Sequence, residues 1–150
     1  MNELQIIIDY VLSQFQANKL VNAITEYESD LIDTNKDTLY PLVNIEDLTV
    51  SVDEDQIVAR FRISALCQLE IYQYTTDSKL KSDTNYFDVV NETFSICQTF
   101  INSFRQYNSS KIEMQTVSEL TPVKNKFING LSGYEFDIEL TIANMGTSCQ

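Results

Sequence analysis

The stretch Ile57–Tyr74, IVARFRISALCQLEIYQY, decides how the rest of the chain is read. Every second residue from Ile57 is apolar: Ile57, Ala59, Phe61, Ile63, Ala65, Cys67, Leu69 and Ile71. The positions between are mostly polar, Arg60, Arg62, Ser64, Gln68 and Glu70, with Val58, Leu66 and Tyr72 as exceptions. Alternation at period two is the pattern of a strand with one buried face. At about 3.3 Å per residue this strand spans roughly 50 Å, where the usual strand has about 5–6 residues. Upstream, Leu48, Val50 and Val52 alternate against Thr49 and Ser51, and Asp53-Glu54-Asp55-Gln56 turns the chain back. The two segments form a β-hairpin whose acidic turn lacks the Asn-Gly signal of a tight connection.

Working outward, Leu4, Ile7, Ile8, Val11, Leu12 and Phe15 recur at helical spacing, and Asn2 is placed to cap them. The helix runs over about Asn2–Lys19, with room to continue to Tyr27. Tyr40-Pro41 marks entry to the hairpin, because a proline ring blocks helix and pushes the preceding residue to extended geometry. After a polar connection over 75–85, Phe87, Val90, Phe94, Cys97, Ile101 and Phe104 trace one apolar stripe of a second helix, with Phe94 expected in the core. Lys111–Val117 reads as a short strand. GYEFDIELTIAN, Gly133–Asn144, alternates as cleanly as the opening stretch. The order α-β-β-α-β-β predicts an α+β sandwich: a mostly antiparallel sheet with a long hairpin and both helices packed on one face. The expectation is a single domain over 1–150, with about the last six residues as a tail.

Ten Lys and Arg against 22 Asp and Glu give a net charge of −12. A surface so acidic argues against gripping nucleic acid through phosphates and against docking on anionic lipid. It fits plain solubility, and equally a wall that DNA passes without sticking. The opening MNELQIIIDYVLSQF carries acids and no basic leader, which reads against a signal peptide. No apolar run reaches the roughly 20 residues of a membrane span. Cys67, Cys97 and Cys149 form an odd set, which favours synthesis in a reducing compartment.

The chain has no histidine, which removes imidazole acid–base catalysis, the histidine-dependent nucleophile systems and histidine metal sites. Three scattered glycines make neither a P-loop nor a dinucleotide fingerprint. Carboxylate pairs could run glycoside hydrolysis, but here they sit in acidic loops and on an outward strand face. Asp33, Asn35 and Asp37 copy the start of an EF-hand loop, yet Thr38 and Asn44 stand where its glycine and bidentate glutamate belong. The expectation is a protein that is not an enzyme and carries no cofactor or metal.

Arg60 and Arg62 have two readings: pairing with acids on a neighbouring strand, or contact with another subunit. Tyr72 and Tyr74 either cover the rim of the core or join that interface. Asp53, Glu54 and Asp55 are a solvent loop or part of a charged lumen.

The leading helix, the entry after Tyr40-Pro41, the long strand ending ALCQLEIYQY, the helix YFDVVNETFSICQTFINSF and the closing GLSGYEFDIELTI together set a pattern. In that pattern the chain resembles the small ring-forming neck and tail-completion proteins of tailed bacteriophages, the tail-terminator and head–tail joining group. The resemblance covers about residues 1–143. It implies a virion structural protein made in the bacterial host cytoplasm, forming a ring with itself, six- or twelve-fold, at the head–tail junction or upper tail. It further implies contacts with portal, neck or tail proteins, and DNA passing through the ring without specific binding. The long strand would reach a neighbouring protomer and add to its sheet. The alternative is a small acidic adaptor or inhibitor acting on a host protein.

Overall fold

In the computed structural model, residues 2–26, 40–70, 85–105, 111–126 and 130–145 are described. In chain order they form α1 (Glu3–Ala17), β1 (Ala23–Thr25), β2 (Leu42–Val52), β3 (Gln56–Gln68), α2 (Tyr86–Arg105), β4 (Glu113–Val117), β5 (Thr121–Lys126) and β6 (Leu131–Ala143). This is the expected α+β architecture, hairpin and paired helices included, with two short strands, β1 and β5, added. The sheet runs β1-β2-β3-β6-β4, with β5 following β4 along the same side of β6. β1 lies parallel to β2; every other pairing is antiparallel.

The long strand is central. Ile57–Leu66 pairs with β2 on one side, and Gln56–Gln68 pairs with β6 on the other. Over the described stretch its length is therefore matched by two long neighbours of the same chain, and Ile57–Leu66 has no free side with which to reach a second protomer. For that stretch this corrects the expectation of an inserting strand. The alternation continues to Ile71, but pairing stops where β6 begins: Gln68 lies opposite Leu131, and the Leu69 N–H donates to Gly130 at 3.3 Å. Tyr72 and Tyr74 lie outside the described residues, as do 33–37 and most of the expected tail.

Both helices cover one face. Ala59, Phe61, Ile63 and Ala65 of β3 and Phe136, Ile138 and Leu140 of β6 meet Ile7, Val11 and Phe15 of α1 and Ile96, Cys97 and Phe100 of α2. Asn2 caps α1, accepting from the Gln5 N–H at 2.8 Å. The Phe100 ring lies 4.4 Å from Phe15, 5.2 Å from Phe104 and 6.2 Å from Phe136, centroid to centroid. Such aromatic pairs add about 0.5–1.5 kcal/mol beyond the area they bury.

α2 is rotated from the expected stripe. Its buried residues are Val89, Thr93, Ile96, Cys97 and Phe100, whereas Phe94 is 42% exposed and Phe87 58%. The cause is at Thr93 and Gly133. Thr93 satisfies its hydroxyl on the Val89 carbonyl at 2.7 Å, so it enters the core at little cost. Gly133 gives it room: a Cβ there would lie 3.1 Å from the Thr93 methyl and 1.9 Å from the Ala65 carbonyl oxygen. The bulkier Phe94 is left on the flank, edge-on to Tyr134 with centroids 6.0 Å apart.

At one end the opposite face buries a second apolar cluster, Leu42, Leu66, Val123 and Leu131, with Ala23 and Tyr40 packed beside them. Toward the hairpin turn that face is mostly polar, with Val58 buried between Ser51 and Thr141.

Candidate functional site

The polar face carries a cross-strand charge ladder. Glu46, Arg62 and Asp137 lie abreast on β2, β3 and β6, with Thr49, Arg60 and Glu139 abreast in the next row. Arg60 Nε donates to Glu139 Oε2 at 2.9 Å and its Nη1 to Thr49 Oγ1 at 3.1 Å. Arg62 Nε donates to Asp137 Oδ1 at 3.0 Å. The hydrogen bond to Asp137, then that carboxylate's charge, raises the Arg62 pKa above its ordinary value, with Glu135 and Glu46 adding to the effect. Both arginines thus take the cross-strand arrangement within the chain. Their side chains remain 44% and 41% exposed, so each pair is worth only about 0.2–1 kcal/mol.

Asp53, Glu54 and Asp55 sit at the hairpin turn, exposed. Their backbone is pinned although their carboxylates reach outward. The Asp53 N–H donates to Gln56 O at 2.9 Å, Asn144 Nδ2 donates to Asp53 O at 2.8 Å, and the Asn144 N–H donates to Asp55 O at 3.0 Å. Among the described residues no Lys or Arg forms an ion pair with these acids. The result is a fixed negative corner beyond the ends of β2 and β6.

The lateral edges are uneven. β1 covers β2 only at Leu42–Asn44, so Ile45–Val52 has no outer partner among the described residues. A bulge at Leu48 shifts the register between Asp47 and Thr49. It puts Val50 and Val52 opposite Ala59 and Ile57, on the helix-bearing face, where they are 47% and 71% exposed. Sequence reading missed this, because Leu48, Val50 and Val52 look like one inward series and nothing in that series shows the bulge. On the other side β4 and β5 follow one another along β6 with no outer partner among the described residues.

Between α1 and the β1–β2 side lies an open cavity of about 440 Å³, with Val11, Ile24, Ile45 and Phe61 as its apolar lining and Glu26 and Asp47 among its polar residues. No group of three or more metal-ligating side chains occurs among the described residues. Cys97 is buried, and burial pushes its thiol pKa up to about 12, so it stays protonated at neutral pH. Burial also raises the Cys67 thiol. Neither thiol is activated for nucleophilic chemistry, which needs a lowered pKa. Among the described residues no helix is long and apolar enough to cross a membrane.

Among the described residues the geometry therefore offers an arrangement of edges and charge: two strand edges without outer partners, exposed valines beside one of them, and a pinned acidic corner. No protein-family model matches the chain, and no curated protein matches it.

Proposed function

We propose that this protein is a structural subunit, not an enzyme, that assembles with itself into a closed ring at the neck or upper tail of a tailed bacteriophage, around the path of DNA. The observation that supports the reading best is the sheet whose outer strands, on both sides, have edges without a partner among the described residues. An exposed edge is a template for another strand, and a heterologous contact repeated around a rotation axis closes into a ring. The order of elements, in which the sequence resembles ring-forming neck and tail-completion proteins, supports the same reading. So does the charge of −12: DNA sliding past such a wall would be repelled and not held. The Asp53-Glu54-Asp55 corner belongs, on this reading, to the lumen or to solvent.

Electron microscopy of the purified chain should show rings with a central hole, and duplex DNA mixed with it at low salt should run unshifted in a gel. A discrete complex with a single host protein, and no ring at any concentration, would favour the adaptor reading. A DNA shift that fades as salt rises would overturn the repulsive wall.

A further inference from the structure

We infer that the subunits join head to tail by pairing the outer edge of β2 at Thr49–Val52 with the outer edge of β4, Glu113–Val117, of the next copy. This rests on the ring reading and names the surface that would close it.

The argument starts from register. Val50 lies abreast of Ala59, Leu140 and Met114, and Ser51 abreast of Val58, Thr141 and Glu113. The stretch of β2 that has no outer partner among the described residues and the strand β4 therefore stand at the same level of the sheet, on its two opposite sides, and each carries one bulge, at Leu48 and at Gln115. The other level is blocked on both sides. Leu42, Leu66, Gly133 and Val123 lie abreast there. Here β1 occupies the β2 edge, while β5 carries Pro122, which has no N–H to donate, and exposed Lys124. Proline and lysine are common devices for keeping an edge strand unpaired.

Polarity agrees. β2 and β6 both run antiparallel to β3, and β4 runs antiparallel to β6. A second copy laid alongside in the same orientation thus brings its β2 antiparallel to β4, in the favoured hydrogen-bonding pattern. At matched level Val50 meets the half-buried Met114, apolar against apolar on the helix-bearing face. The charges fit as well: exposed Lys111, immediately before β4, falls beside the Asp53-Glu54-Asp55 corner of the incoming copy. At the blocked level β1 of that copy takes up one strand width, about 4.8 Å, so the two sheets meet splayed and not in one plane.

The occupant is a second copy of this chain because both halves of the contact lie on one molecule, at one level and with opposite exposed charge. The test is amide hydrogen exchange on the full chain at about 0.15 M salt, comparing the assembled protein with the double variant Val50→Lys/Val52→Lys. Strong dilution of the wild-type protein gives a second unassembled reference should the variant fold poorly. The expected result is loss of assembly in the variant, and exchange at least about tenfold slower at 49–52 and 113–117 together in the assembled protein. A wild-type oligomer in which both segments exchange as fast as in the references would overturn this interface and leave the ring reading standing. A wild-type protein that stays monomeric throughout would overturn the ring reading, and the interface with it.

Discussion

At the end of β3 that carries Leu66, side chains are buried on both faces of the sheet; toward Ile57, the neighbouring strand exposes its valines on the very face the helices cover. Leu42, Leu66 and Leu131 are at most 1% exposed, whereas Val50 and Val52 are 47% and 71% exposed. The strands alternate at both ends, so the period of the sequence does not explain the difference. Covering does. Near Leu66, Thr93 of α2 approaches Gly133 on β6, and β1 lies against β2. Near the turn the helix layer leaves the outer side of β2 bare. One end is covered on both faces, and the other leaves the apolar side chains of the outer strand available.

This contrast can be tested first through α2. Phe100→Ala should cost about 3–5 kcal/mol in chemical denaturation, since it removes a ring packed among Phe15, Phe104 and Phe136. Phe94→Ala, on the exposed flank, should cost only about 1 kcal/mol. Equal losses would mean that the helix presents both rings to the sheet and would contradict its orientation. A smaller but more local effect belongs to Gly133→Ala. Its new Cβ would lie 1.9 Å from the Ala65 carbonyl oxygen, and forcing the β3 and β6 backbones apart should cost on the order of 3 kcal/mol. Stability unchanged in the same denaturation series would mean that the closed end has slack.

Much of the fold is legible in the sequence, for reasons particular to its elements. β3 and β6 are long enough for period two to be unmistakable, and both carry one polar face toward solvent. α1 is legible because its stripe and its cap agree. β1 is not, because three residues, Ala23-Ile24-Thr25, hold no period and are recognisable only by their parallel pairing with β2. β5 is hidden by Pro122, which reads as loop. The face of α2 misleads because hydrophobicity ranks phenylalanine above threonine, while packing over Gly133 rewards the smaller side chain. Of the candidate site, the arginines and the acidic turn were visible as residues, and the acids that hold Arg60 and Arg62 are visible only once β6 lies beside β3. The bare edge was not visible at all: it follows from the bulge at Leu48 and from how far β1 reaches.

The most direct test of the central claim is the mass of the purified chain by light scattering, followed over a wide range of protein concentration. A closed ring predicts a plateau at one fixed multiple of the 17.2 kDa chain that more protein does not change. A mass of one chain at every concentration, or one that keeps growing as an open filament would, contradicts it.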